Sequence, residues 1–321
     1  MRKLFLVVWF FIYSLCFAES DTDSVDLKKL VEKEIGGEIL AFLPNEKEPF
    51  TGKAIVTHDN GKKKDLFNYK NGKVDGFLTS WYDNGQKESE ANFKDGVIDG
   101  LATHWYENGQ KESEVNWKDG KNDGSVTHWY LNGLKKEESN WEEGKVNGQV
   151  IAWHENGQKK QIANYKNGKK DGLLTNWYDN EQKESEANFK DGKQDGFANI
   201  WYENGQMNQM ANYKNGKEDG LIAKWFENGQ KELVANFKDG KRDGLVTIWY
   251  ENGQKKQIAN FKNGKQDGLL TNWHENGQKK LEANFKDGKP EGLVIEWGKN
   301  GKEVLRQSYQ KGFLTHEYKS P

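Results

Sequence analysis

The sequence of 321 residues is poor in the residue types that build thick cores, cross-links and nucleic-acid sites. It has 1 cysteine, 4 prolines and 3 methionines, and only 34% of its residues are hydrophobic. A mean hydropathy of −1.03 is too low for a domain with a thick core. Acidic and basic residues nearly balance at a formal net charge of −2 with no basic block, which argues against nucleic-acid binding.

Aromatic residues and glycines are abundant, because 13% of the residues are aromatic and 35 are glycine. Disordered chains contain few aromatic residues, so this composition does not predict disorder. Few aliphatic residues together with many rings indicate a thin sheet whose interior consists mostly of aromatic side chains.

The first residues have the layout of a secretory signal peptide. Arg2 and Lys3 precede an apolar run over residues 4–17, and Ala18 provides a small residue for cleavage. We expect export to the periplasm, the cell surface or the medium. Cleavage near Ala18 would remove Cys16, the only cysteine, and with it any disulfide or thiolate site.

Two alternatives to cleavage after Ala18 are disfavoured by the residues themselves. A membrane anchor needs about 20 apolar residues, and the run is shorter than that. A lipid attached to Cys16 would require small residues before it, where the bulky Tyr13 and Leu15 stand.

Glycine recurs at a spacing of 24 residues in three series. One series runs from Gly52 to Gly292, a second from Gly72 to Gly312, and a third from Gly61 to Gly301, broken only at Glu181. A fixed period of this length predicts a repeat protein, here of about eleven repeats.

Tryptophan occupies the sixth position of ten repeats when each is counted from its first glycine, and the eighteenth position is aromatic throughout. We expect the tryptophans to form the structural core of the array. They are Trp81, Trp105, Trp129, Trp153, Trp177, Trp201, Trp225, Trp249, Trp273 and Trp297.

Each repeat has the pattern of a β-hairpin. Residues 269–274 are rich in β-forming residues, residues 281–285 alternate apolar and polar side chains, and Asn276-Gly277 between them favours a tight turn. The predicted fold is all-β, an elongated antiparallel β-meander over residues 49–321.

The loop length decides which side chains share a face. A three-residue loop Glu-Asn-Gly pairs positions that sum to 18, which places Trp273 and Phe285 on one face. The other face would then carry tyrosine or histidine at position 7 and asparagine at position 17. A two-residue Asn-Gly loop would instead separate Trp273 and Phe285.

Residues 19–48 depart from the repeat and resemble an end cap. Ser24 can begin a short helix through Glu34 that ends at Gly36-Gly37. Repeat arrays need a polar cap, so we expect a helical cap here.

The repeated motif G-L-L-T-N-W-x-E-N-G-Q-K-x-x-x-A-N-F-K-D-G-K-x-D-G resembles the bacterial MORN-repeat variant, a family that includes YwqK-type antitoxin-component proteins. Residues 49–53, Pro-Phe-Thr-Gly-Lys, resemble the start of such arrays. The resemblance covers about residues 49–316. It implies a β-hairpin scaffold for protein or membrane association, and an antitoxin or immunity-type role.

No catalytic, metal or cofactor site is predicted. His104 and His128 would lie about two strand spacings, roughly 9–10 Å, apart, too far for shared zinc coordination. Residues 191–196 resemble a calcium loop, but Lys193 stands where an oxygen ligand belongs. Acids repeated in equivalent surroundings do not make a catalytic pair.

Two functions remain open. The first is a non-enzymatic scaffold for association with an unidentified protein or with another copy of the chain. The second is binding of glycans or the cell envelope through the tyrosine and asparagine rows. The candidate binding surface consists of Tyr82, Tyr106, Tyr130, Tyr178, Tyr202 and Tyr250.

Overall fold

The computed structural model describes residues 23–319 and divides into two compact units, residues 1–97 and 98–321. The predicted signal peptide, with Cys16 and Ala18, lies outside the described residues. Between residues 23 and 319 no helix is long and apolar enough to cross a membrane.

The first unit contains short strands and one three-residue 3-10 turn. Its elements are β1 Ser24–Asp26, the 3-10 turn Leu27–Lys29, β2 Val31–Ile35, β3 Glu38–Phe42, β4 Gly52–Thr57, β5 Lys63–Lys70, β6 Lys73–Val74, β7 Gly76–Trp81 and β8 Lys87–Lys94. Strand β1 pairs in parallel with β4, and the hairpins β4–β5 and β7–β8 are antiparallel.

The predicted N-terminal helical cap is wrong, because β2 and β3 form a hairpin there. Ile35 pairs with Glu38 across Gly36 and Gly37, whose φ values are +64° and +85°. Two successive positive φ values are the geometry of a tight hairpin turn, which glycine adopts without steric cost. The Gly-Gly pair therefore turns the chain back on itself instead of ending a helix.

The second unit continues the same pattern. Its strands are β9 Val97–Trp105, β10 Lys111–Lys118, β11 Lys121–Trp129, β12 Lys135–Glu142, β13 Lys145–Val146, β14 Gly148–Trp153, β15 Lys159–Lys166, β16 Lys169–Trp177, β17 Lys183–Lys190, β18 Lys193–Trp201, β19 Met207–Lys214, β20 Lys217–Glu218, β21 Gly220–Trp225, β22 Lys231–Lys238, β23 Lys241–Trp249, β24 Lys255–Lys262, β25 Lys265–Trp273, β26 Lys279–Lys286, β27 Lys289–Trp297, β28 Glu303–Gln310 and β29 Phe313–Lys319. Successive long strands pair antiparallel, so the all-β meander is confirmed.

The three-residue hairpin loop is confirmed. His274 N–H donates to Gln278 O at 2.8 Å, and Gly277, at φ +83°, donates to His274 O at 2.9 Å. Trp273 pairs with Lys279, but Asn272 pairs with Leu281, so Lys280 is an extra residue in a β-bulge. The predicted register therefore holds beside the turn and is wrong beyond the bulge.

The bulge also changes which side chains share a face. Leu269, Thr271 and Trp273 lie on one face, which we call the tryptophan face, together with the partners Glu282 and Asn284. The opposite face carries position 3, the alanine at position 16 and the aromatic residue at position 18, and we call it the phenylalanine face.

Trp273 and Phe285 therefore lie on opposite faces, and their predicted shared face is wrong. The tyrosine and asparagine rows, at positions 7 and 17, are likewise separated. The physical reason is that one inserted residue inverts the alternation of the strand that follows it.

Burial is deepest at small and aliphatic side chains. Val246 and Ala235 are 0% exposed, whereas all ten repeat tryptophans are half-buried. The predicted core of tryptophans is thus a half-buried row along one face, and the tightest packing lies at positions 3 and 16.

Candidate functional site

The predicted tyrosine surface is a row of side chains that hydrogen-bond to the following hairpin, and we call each such contact a tyrosine clip. In the second unit, each of the five predicted tyrosines donates its hydroxyl to the main-chain oxygen of the tryptophan in the following hairpin, 23 residues on. Distances are 2.7–2.9 Å for Tyr106 to Trp129, Tyr130 to Trp153, Tyr178 to Trp201, Tyr202 to Trp225 and Tyr250 to Trp273. Tyr82 has the same place in its repeat and is half-buried. A binding role for these side chains stays a prediction, but five of the hydroxyls already form hydrogen bonds within the array.

Burial raises the pKa of several clip tyrosines. For Tyr106, desolvation is the main cause, and the nearby carboxylate of Glu112 adds to it. Desolvation also raises the pKa of Tyr202, with Glu232 and Glu227 contributing. The neutral hydroxyl, which is the hydrogen-bond donor, is thereby favoured.

Histidine replaces tyrosine in the same clip at three places. The ring Nε2 of His58, His154 and His274 lies 2.8–2.9 Å from the main-chain oxygen of Trp81, Trp177 and Trp297, respectively. These histidines therefore lie in separate hairpins, and each contacts the main-chain oxygen of the tryptophan 23 residues further on.

Turn asparagines form a second ladder. Asn252 Nδ2 donates to Glu275 O at 3.1 Å, while its Oδ1 accepts from Gln254 N–H in its own turn. At the opposite edge, Asp243 accepts the N–H of Asn263 at 3.1 Å. Hairpins of the second unit are thus joined to the next at both edges of the sheet.

On the tryptophan face, lysines at position 12 cover tryptophans of the following hairpin. Lys183 Nζ lies 2.6 Å from Glu186 Oε2 and 5.7 Å from the ring centroid of Trp201. Lys279 repeats this arrangement with Glu282 and Trp297. The glutamate at position 15 holds the ammonium where it can interact with the π-face.

Leucines at position 2 form an exposed row on the tryptophan face. In the second unit the exposed fractions are 38–47% for Leu101, Leu173, Leu221, Leu245, Leu269 and Leu293. The half-buried Phe197 occupies the same position, and Ser125 and Gln149 interrupt the row. A contiguous exposed apolar row is typical of an interaction site.

Sequence reasoning missed the leucine row because the predicted register placed position 2 in the core. The bulge at position 13 was the missing fact. The sequence gives one sign of this bulge. Between the turn glycine and the alanine at position 16 there is one residue more than uninterrupted alternation requires.

The fold and these ladders define a class, a β-hairpin repeat scaffold in which successive hairpins within a unit are hydrogen-bonded to one another. Seven segments of the chain match the family described as "MORN repeat variant", residues 75–95, 98–119, 146–167, 170–191, 195–215, 242–263 and 266–287. The match confirms the repeat class. It confirms neither the count of eleven nor the YwqK-type assignment.

No curated protein matches the sequence. The chain is similar to part of a solved structure entitled "Crystal Structure of TcdB2-TccC3-TEV", with 12% identity and a TM-score of 0.18, covering 89% of this chain and 16% of that one. A second, "Crystal Structure of TcdB2-TccC3", shows 9% identity and a TM-score of 0.17, covering 87% and 20%. The chain thus spans a fifth or less of these proteins, and the likeness carries no argument about function.

Proposed function

We propose that this chain is an exported, non-enzymatic repeat scaffold that binds a partner protein on its tryptophan face. The observation that carries the proposal is the exposed leucine row, with Leu221, Leu245 and Leu269 at consecutive repeats. Hydrogen bonding between hairpins uses main-chain pairing, the turns and the tyrosine clips, and the leucine side chains remain exposed.

The residue types found at position 2 support a binding role for the leucines over a purely structural role. Position 2 accepts serine or glutamine, as Ser125 and Gln149 show, so the hairpin does not need leucine there. Leucine nevertheless recurs in six repeats of the second unit. Neutralisation of a toxin, which the family resemblance implies, would be one form of such association.

The test compares the full chain with the variant Leu221→Gln/Leu245→Gln/Leu269→Gln in pull-downs from a cell-envelope extract. Glutamine is the residue of the array itself at Gln149, so we expect unchanged folding by circular dichroism. Capture of a discrete partner should fall by about tenfold or more, since each leucine loses its apolar contact.

The matched control changes three exposed lysines at position 19, Lys190→Gln/Lys214→Gln/Lys238→Gln. This variant should retain the partner. Equal capture by the leucine variant and the wild type would refute the proposal. Sedimentation of the chain alone separates association between copies from binding of a different protein.

A further inference from the structure

Three consecutive tryptophans of the second unit, Trp225, Trp249 and Trp273, share one feature of their surroundings. Trp177 shares it too, but the covered Trp201 separates it from them. Among the described residues, no lysine covers the rings of these three, although lysines cover Trp201 and Trp297 on either side. We call these rings, with Leu221, Leu245 and Leu269 four residues earlier on the same strands, the open platform.

The sequence departs from the most frequent pattern where these rings are uncovered. Val234 and Ile258 stand at position 15, where five other repeats carry a glutamate that pairs with the lysine at position 12. Met207 replaces the lysine itself in the hairpin before Trp225. Three departures from the repeat thus fall together around consecutive half-buried rings.

The same departures leave two cations without partners. Lys231 and Lys255 are exposed, and neither forms an ion pair within the described chain. They occupy the row that elsewhere carries paired lysines such as Lys183. A ligand of the open platform is therefore expected to bring acidic groups along this side.

Polar groups on the other side of the rings are also available. Asn236, Asn260 and Asn284 pair across the strands with Leu221, Leu245 and Leu269. Their side chains are exposed, and between residues 23 and 319 their amides make no hydrogen bond. They can donate to main-chain carbonyls of a ligand that does not satisfy its own.

The spacing of the platform selects the conformation of the ligand. Equivalent residues of adjacent hairpins are two strands apart, about 9.4–9.8 Å. A polyproline II segment repeats its face every three residues, about 9.3 Å, and leaves its carbonyls free. A β-strand repeats about every 6.6 Å and a helical heptad about every 10.5 Å, so both lose register.

We propose that the open platform binds a proline-rich, acidic polypeptide segment of a partner in the polyproline II conformation. Prolines would lie against the tryptophan rings and leucines, carbonyls would accept from the asparagine amides, and acids at every third residue would reach Lys231 and Lys255. This inference rests on the proposed function and names the partner's chemistry.

The test uses a fluorescent peptide of five Glu-Pro-Pro triplets, titrated against the full chain by polarisation. Two comparison peptides replace Glu-Pro-Pro with Lys-Pro-Pro or with the flexible Glu-Gly-Ser. We expect saturable binding of the acidic proline peptide only. Equal binding of either comparison peptide, or no binding of the first, would overturn the inference.

The decisive variant is Val234→Glu/Ile258→Glu, which introduces the glutamate found at position 15 of five other repeats. It should draw Lys231 over Trp249 and Lys255 over Trp273, as Glu186 does for Lys183, and weaken the acidic peptide by about tenfold or more. The control Ile162→Glu makes the same change outside the platform and should bind normally. Equal loss in both variants would contradict the site.

The two proposals can fail separately. If the leucine variant loses its protein partner but no proline peptide binds, the scaffold function stands and the ligand class is wrong. If the acidic proline peptide binds while the leucine variant still captures its partner, that partner uses another surface and the proposed function is wrong.

Discussion

Glu181 is the one non-glycine residue at the third position of the hairpin loop, and its backbone remains left-handed at φ +67°. Its N–H reaches Tyr178 O at 3.2 Å, against 2.8 Å for Gly205 in the next loop. In other hairpins the glutamine at position 11 packs against the loop glycine of the next hairpin, as Gln182 does against Gly205. Gln158 holds this position in the hairpin before Glu181, and it accepts a hydrogen bond from Asn156 in its own turn.

Replacing Glu181 with glycine should stabilise the array. A side chain at positive φ costs about 1–2 kcal/mol, and the added freedom of the unfolded chain offsets about 0.4–1 kcal/mol of the gain. We expect a net gain of a few tenths to about 1 kcal/mol by urea unfolding, with slower amide exchange in β16 and β17.

The reciprocal variant Gly205→Glu is the control for this prediction. It places the same strain in the next loop, against Gln182, and should destabilise the array. Unchanged exchange near residue 181 together with weaker partner capture in Glu181→Gly would instead mark Glu181 as a recognition residue.

At the scale of the hairpin, each tyrosine clip joins its hairpin to the first strand of the following one. Phe226 occupies the clip position without a hydroxyl, so the clip facing Trp249 O lacks its donor. The chain thus contains its own comparison between a hairpin with the clip and one without it.

Tyr106→Phe should lower the free energy of unfolding by about 0.5–1.5 kcal/mol, the usual net contribution of one hydrogen bond. Phe226→Tyr should raise it by a similar or smaller amount, by donating to Trp249 O. Denaturant unfolding with circular dichroism measures both. Equal stability of Tyr106→Phe and the wild type would show that water replaces the clip.

Alkaline pH should loosen the same contacts. The pKa values of Tyr106, Tyr178 and Tyr202 are raised mainly by burial, so the neutral form is favoured in the folded state. Their contribution is complete below the unfolded value of about 10 and is lost as pH rises through the folded pKa. Unfolding should therefore begin above about pH 10, together with tyrosinate absorbance.

The variant with phenylalanine at all three positions tests this assignment. It should be less stable at neutral pH and lose less stability between neutral and alkaline pH. An identical alkaline loss in the variant and the wild type would assign the effect to other groups.

For the whole molecule, compartment is the first open question. We predict that the protein isolated from its native host begins at or near Glu19, because the basic start, the apolar run and Ala18 form a cleavable signal. N-terminal sequencing checks this. Recovery from the cytosol with Met1 intact would contradict export.

Much of the fold could be predicted from the sequence, because glycine spacing and Asn-Gly turns are local signals. The loop ending in Gly277 followed from the positive φ that glycine tolerates. The bulge at Lys280 could not be predicted, since it depends on the pairing of two strands, and it placed Phe285 on the face opposite Leu269 and Trp273. The Gly-Gly hairpin of the cap was missed because a short apolar run fits either a helix or a strand.

The tyrosine clips and turn ladders join residues at fixed separations, 23 residues in both cases. An insertion or deletion of 24 residues therefore restores every such bond with an equivalent partner. Removing residues 220–243 would join Asp219 to Gly244 and recreate the Asp-Gly junction already present. Array length can thus change during evolution by unequal recombination without any new interface having to arise. Differences at single positions, such as Val234 and Ile258, then distinguish individual hairpins from one another.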